Sequence, residues 1–126
     1  MVSMEMMRSY LDAITSGEFE AAMGYWADDI VIHVSGDNVT SGTYSGKEAA
    51  VGYAAAAVGA VDSIQIDEDD LLVGEEHAVL LNTTHSERNG KHMTANGVVV
   101  YHTEGDKITE VWIMNEDQTA VDKFLA

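Results

Sequence analysis

Apolar residues change their spacing along this chain. From Met4 to Trp26 they recur at helical intervals: Met4, Met7, Leu11 and Ile14 form one stripe with Tyr10 on its flank, and Phe19, Met23 and Trp26 form a second. Ser16-Gly17 separates the two predicted helices. Ile30–Val34 then reads as a short β-branched strand interrupted by His33, and the polar stretch Ser35–Tyr44 as a loop. Ser45 and Glu48 have the spacing of a capping box, which launches an Ala-rich helix to Gly59 with Tyr53 as its one large side chain. Val61–Ile66 alternates as a strand, Asp67–Asp70 reads as an acidic turn, and Leu71–Val73 as a further short strand.

Between Glu76 and Glu116 the pattern predicts three antiparallel strands. Asn89-Gly90 suits a type I′ turn, which needs positive φ at both central residues. The ladder back from it pairs Arg88 with Lys91, Thr83 with Asn96, Leu81 with Val98 and His77 with His102. If Gly105-Asp106 turns likewise, Val98 faces Ile113 and Asn96 faces Asn115. One predicted face then carries Val79/Val100/Val111, Leu81/Val98/Ile113, Thr83/Asn96/Asn115 and His85/Thr94/Asp117; the other carries Ala78, Leu80, Val99, Tyr101, Glu110 and Trp112, with Asn82 and Met114 beside them. Both are apolar in the middle, so one should cover a core and the other a partner, most simply a second copy. Asp117 can cap a terminal helix bearing Val121, Phe124 and Leu125. The element order gives an α+β fold, a strongly curved sheet wrapped around helices.

Composition narrows the function. A chain of 126 residues makes one domain, 1–126, with enough core to fold unaided. The absence of Cys excludes disulfides, thiolate catalysis and Cys-ligated metals. Six basic residues against 22 acidic ones, a formal charge of −16, argue against nucleic-acid and membrane-surface roles. Met1–Tyr10 does not resemble a signal peptide, and no apolar run approaches a membrane span, so a cytoplasmic location is expected.

Three stretches together carry a resemblance. Tyr10-Leu-Asp-Ala-Ile-Thr-Ser-Gly-Glu-Phe-Glu through Trp26-Ala-Asp-Asp-Ile is similar to the opening of the nuclear transport factor two-like superfamily, which includes the ketosteroid isomerases and the SnoaL-like polyketide cyclases. Ile32-His-Val-Ser-Gly with Ser41-Gly-Thr-Tyr-Ser-Gly-Lys-Glu-Ala, and Asn96-Gly-Val-Val-Val-Tyr through Lys107-Ile-Thr-Glu-Val-Trp to Asp117-Gln118, point to the SnoaL-like branch. The resemblance implies a cone-shaped, cystatin-like α+β barrel with a hydrophobic cavity and a homodimer through the outer sheet face. It places Leu81, Val98 and Ile113 in the cavity and Val99, Tyr101, Trp112 and Met114 on the dimer side.

The resemblance also removes a candidate chemistry. Tyr10 sits where the isomerases keep an oxyanion-hole tyrosine, but their catalytic base falls at or beside Val34 and their protonated acid at about Val98. Valine can neither take a proton nor hold an enolate, so steroid isomerisation by that route is disfavoured. Ser35 replaces the proline usual in the SnoaL-like branch.

The candidate residues each have a plain structural reading as well. His33 has the ordinary pKa of a general base, and is equally a strand-end histidine held by a backbone carbonyl. Asp117 lies near where SnoaL-like cyclases carry a catalytic acid; its first reading is a helix cap, and the two roles do not exclude each other. Asn96 and Asn115, with Thr83, stand at the apolar-to-polar boundary of the predicted cavity face and can orient a ligand carbonyl or pair with each other. Tyr10 and Tyr53 can line the cavity or simply pack; Trp26 reads as core. His77 and His102 face each other but supply only two ligands, and His85 and His92 fall on opposite faces, so no metal site is expected. The leading expectation is a cofactor-free isomerase or cyclase for a small hydrophobic carbonyl compound, with His33 or Asp117 moving the proton. A non-catalytic small-molecule binder or a dimeric interaction module is the alternative.

Overall fold

The computed structural model describes residues 1–126. In chain order the elements are α1 (Met4–Thr15), α2 (Phe19–Met23), β1 (Trp26–Val34), β2 (Gly42–Ser45), α3 (Lys47–Gly59), β3 (Ser63–Val73), β4 (His77–Arg88), β5 (Lys91–Glu104), β6 (Lys107–Asn115) and α4 (Gln118–Phe124). The six strands form one sheet in the order β2-β1-β6-β5-β4-β3. Neighbours run antiparallel except β1 and β6, which are parallel. The expected α+β architecture is present, with helices packed on one face of a curved sheet.

Local chemistry explains much of this. Ser3 caps α1 by accepting from the Met6 amide at 3.1 Å, and Met7, Tyr10 and Leu11 bury the helix's one apolar face. Asn89 and Gly90 both take positive φ, 52° and 79°, and the β4–β5 ladder follows the pairing read from the sequence. Asp117 caps α4, its Oδ1 accepting from the Ala120 amide at 3.1 Å. Ser35 Oγ donates to Gln118 at 2.7 Å and Asn38 Nδ2 donates to Asp122 at 2.8 Å, pinning α4 to the end of β1. Gly36 makes that close approach possible: its φ is +90°, and a Cβ there would run into Gln118 and Asp122.

Four local expectations change. Trp26 opens β1 rather than closing a helix, pairing with Ile108. The end of the polar loop, from Gly42, belongs to the edge strand β2, whose last residue, Ser45, pairs with Val31. The capping box is therefore not made; Gly46, at φ 92°, precedes α3 with no side-chain cap. Asp67–Asp70 is no turn but the middle of a continuous β3, bulged at Asp69 between the pairs Glu68–Asn82 and Asp70–Leu81.

The most consequential change is a second bulge. Gly105-Asp106 does turn with Glu104 opposite Lys107 and Thr103 opposite Ile108, but the next pair is His102–Glu110, leaving Thr109 as an extra residue. Thr109 Oγ1 donates to the His102 carbonyl at 3.2 Å and lies 2.7 Å from His102 Nδ1, fastening the bulge. Val98 consequently faces Met114, Val99 faces Ile113, and Gly97 faces Asn115. The expected Val98–Ile113 and Asn96–Asn115 pairs are each displaced by one residue. Since side chains alternate, β4 and β5 present the opposite face from the one expected, while β6 is as expected.

On the concave face the rows are Tyr44/Ile32/Val111/Tyr101/Ala78/Val73 and Val34/Ile113/Val99/Leu80/Leu71, followed by Asn115/Gly97/Asn82/Glu68. Ile30, Ile32, Leu80, Val99, Tyr101 and Val111 are buried there against Met7, Tyr10 and Leu11 of α1. The convex face carries His33/Trp112/Val100/Val79/Leu72 and Met114/Val98/Leu81.

Candidate functional site

Between the concave face, α1 and α3 lies a cavity of about 260 Å³. Its walls are mainly aliphatic and aromatic: Leu11, Ile14, Ile32, Ile66, Leu80, Val99, Val111 and Ile113, with Tyr10, Trp26, Tyr53 and Tyr101. A second chamber of about 160 Å³ adjoins it toward α4, lined by Val34, Asn38, Asn115, Gln118, Val121 and Phe124, and shares Tyr53, Ile64, Thr84 and Ile113 with the first. The larger chamber lies just below the ~300–1,000 Å³ typical of ligand pockets, so it suits a compact ligand.

In the larger chamber the polar side chains other than the aromatic ones are Thr15, Thr84, Glu68 and Asn82, and the last two stand in one row. The row Glu68/Asn82/Gly97/Asn115 crosses four adjacent strands, β3-β4-β5-β6, directly beside the fully apolar row Leu71/Leu80/Val99/Ile113. Gly97 leaves the centre of the row bare, and a Cβ there would lie 2.5 Å from Asn82 Oδ1 and 3.5 Å from Asn115 Oδ1. Glu68 and Asn82 line the larger chamber and Asn115 the smaller, so the row spans the join. No enclosed side-chain nitrogen or oxygen in the chain lacks a partner.

Burial sets the protonation of the tyrosines. It pushes the Tyr53 hydroxyl up to about 12, with the charges of Tyr44 and Tyr10 adding to the effect. Tyr10 is also raised to about 12 by burial, partly offset by the bond from Trp26 Nε1, which donates to Tyr10 Oη at 3.1 Å. Burial, then the neighbouring Tyr10, Tyr53 and Glu68 charges, hold Tyr101 well above its ordinary value. All three hydroxyls therefore keep their protons at neutral pH and are available as donors.

Glu68 is the one carboxylate in the larger chamber. Its side chain is 15% exposed and 3.6 Å from Arg8 Nη1 on α1. Burial, then the charge of Asp12, raise its pKa, against the lowering effect of Arg8. The bulge at Asp69 makes this placement possible: Asp67, Asp69 and Asp70 remain on the convex side while Glu68 projects inward.

The expected site residues divide between the faces. Tyr10, Tyr53, Ile113 and Asn115 line the chambers as expected. Thr83, Asn96 and Val98 are corrected to the convex face, where Thr83 Oγ1 lies 3.2 Å from Asn96 Oδ1. Val99 and Tyr101, expected on the dimer side, are buried in the cavity wall, whereas Trp112 and Met114 are on the convex face. His33 also projects from the convex face. Its ring stacks on Trp112 with centroids 5.6 Å apart, and Nε2 lies 2.5 Å from Glu110 Oε2. Asp117 caps α4 and lines neither chamber. The expected row His85/Thr94/Asp117 keeps only its first two members: His85 lies 3.2 Å from Thr94 and 3.0 Å from Asp67.

Sequence reasoning missed Glu68, Asn82 and Tyr101 as cavity residues. A signal for Glu68 exists: Ile64, Ile66, Glu68 and then Leu71, Val73 continue a period of two with one inserted residue.

The family model for the SnoaL-like domain matches residues 7–111. A search of curated proteins gave no significant match. Among solved structures, a protein of unknown function with a cystatin-like fold from Xanthomonas campestris superposes with a TM-score of 0.91 at 23% identity, covering 100% of this chain and 99% of its own. TerC, co-crystallised with polyporic acid, gives 0.84 at 12% identity, covering 96% and 95%. A putative polyketide cyclase from Sinorhizobium meliloti gives 0.71 at 18% identity, covering 87% and 94%. These likenesses are of fold. With the model match spanning most of the chain, this protein belongs to the SnoaL-like domain family.

Proposed function

We propose that this protein is a cofactor-free isomerase or cyclase acting on a small hydrophobic carbonyl compound held in the concave cavity. The observation that carries this reading is the polar row Glu68/Asn82/Gly97/Asn115 set into a mainly apolar wall. Apolar walls bind a carbon skeleton by removing it from water, and a few placed polar groups fix its orientation. Asn82, Tyr53 and Tyr101 can direct donors at a carbonyl oxygen, and their hydrogen bonds strengthen in proportion to the negative charge that develops there. The co-crystallisation of TerC with polyporic acid and the description of the Sinorhizobium meliloti protein as a putative polyketide cyclase favour this substrate class over a polar metabolite.

The same proposal includes a homodimer through the convex face. Leu72, Leu81 and Met114 are exposed there beside half-buried Val79, Val98, Val100 and Trp112, and a contiguous apolar surface of this kind calls for cover. Val98, Val100 and Leu81 thus replace Val99 and Tyr101 in the expected interface.

Thermal denaturation against planar hydrophobic ketones tests the reading. A ligand at a hundred times its dissociation constant stabilises by about 2.7 kcal/mol, or several degrees for a domain of this size. A saturable shift supports it; no shift across ketones, naphthols and steroids contradicts it.

A further inference from the structure

Resting on that reading of the cavity, we infer that Glu68 is the proton carrier of this site, and that its substrate carries an enolisable C–H next to the carbonyl. Neither His33 nor Asp117 reaches the cavity, and Glu68 is the one carboxylate in the chamber. Three independent features put it there. The Asp69 bulge turns it inward from a run of four acidic residues. It stands in register beside Asn82, on the adjacent strand. Arg8 lies 3.6 Å from it on the helix that closes the chamber, and burial with the Asp12 charge keeps it a stronger base than an exposed glutamate.

The geometry matches enolisation. Adjacent strands lie about 4.8 Å apart, so Glu68 and the Asn82 amide can address a C–H and the neighbouring carbonyl oxygen of one molecule. Glu68 removes the proton as the C–H bond breaks, and becomes a neutral carboxylic acid. The electron pair moves into the new carbon–carbon double bond and the carbonyl π pair moves onto oxygen, held by the Asn82 amide and the Tyr101 hydroxyl. Return of the proton from Glu68 to the same or a conjugated carbon completes an exchange or an isomerisation, with no oxidant, reductant or cofactor consumed. Arg8 is a positioning residue: it holds the carboxylate and limits how far its basicity rises.

The test uses the full chain and β-tetralone, a compact bicyclic ketone with acidic protons beside its carbonyl. Proton NMR in heavy water follows the loss of those protons, and a binding titration gives the dissociation constant. The expected result is exchange faster than in buffer, falling at least about a hundredfold in Glu68→Gln while the dissociation constant changes less than about threefold. The pH profile of exchange should rise with one group above the ordinary glutamate range, and Glu68→Asp should retain part of the rate. Carboxyl carbon NMR of the unmodified protein reads the same group without any variant; titration of Glu68 at or below its ordinary value overturns the inference. So does binding of β-tetralone by the wild type without exchange, or exchange by folded Glu68→Gln at the wild-type rate. Failure of β-tetralone to bind at all overturns the reading of the cavity as a ketone site, and the inference with it.

Discussion

Thr83 Oγ1 donates a 2.6 Å hydrogen bond to Asp69 Oδ2, on the opposite side of the sheet from Glu68. The bulged residue is thereby tied to the neighbouring strand on the convex face, and the residue before it is aimed into the cavity. Thr83 itself lines neither chamber. Thr83→Val should leave the fold intact, lower stability in urea by about 1 kcal/mol, and move the Glu68 titration toward its ordinary value. An unchanged Glu68 titration would show that the bulge holds its shape without this bond.

Two carboxylates should affect stability with opposite signs. The Glu68 pKa is raised by burial and by Asp12, so the folded state binds its proton more tightly than the unfolded chain does. Its ionisation costs stability above the folded pKa, and that cost disappears as pH falls below the ordinary glutamate range. Glu68→Gln should therefore be more stable than wild type at neutral pH, with the advantage shrinking in acid. Asp122 is lowered by hydrogen bonds from Gln118 and Asn38. Its stabilisation is present above the ordinary aspartate range and lost as pH falls through the folded value, so Asp122→Asn should be less stable at neutral pH and equal to wild type in acid. Urea unfolding across that pH range checks both.

Removing the Tyr10 hydroxyl should cost more than one ordinary hydrogen bond. Trp26 Nε1 donates to it inside the core, and Tyr10→Phe leaves that donor enclosed with no acceptor. A loss of about 1–3 kcal/mol is expected in chemical denaturation. A loss below about 0.5 kcal/mol would mean that Trp26 finds another acceptor.

The convex face should mediate self-association. Leu81 and Met114 are exposed on either side of Val98, with Trp112 in the next row. Light scattering should give twice the chain mass for the wild type, and Leu81→Lys should shift it to the monomer while preserving β-tetralone binding. A monomeric wild type at micromolar concentration would contradict the proposed interface.

Much of the fold was legible because its signals are local. Helical spacing gave α1, Asn89-Gly90 fixed the β4–β5 register, and Asp117 marked the start of α4. The candidate site was legible only in part, because its geometry depends on two bulges. A bulge inserts one residue without changing composition or turn chemistry, and every side chain beyond it changes face. Thr109 thus exchanges Leu81/Val98 for Leu80/Val99 beside Ile113. Asp69 hides Glu68 inside what reads as an acidic turn. The expected row Thr83/Asn96/Asn115 had the right character and, on β4 and β5, the wrong neighbours: the concave row holds Asn82 and Gly97 in place of Thr83 and Asn96. His33 was ambiguous for the same reason, since its face depends on pairing to β6.

The most direct measurement compares Asn82→Leu with Asn96→Leu in binding β-tetralone. The two residues lie on the same pair of strands and face opposite sides of the sheet. Asn82→Leu should weaken binding tenfold or more, about 1.4 kcal/mol, whereas Asn96→Leu should bind as the wild type does. Weakening by Asn96→Leu with Asn82→Leu unaffected would contradict the assignment of the concave face as the ligand site.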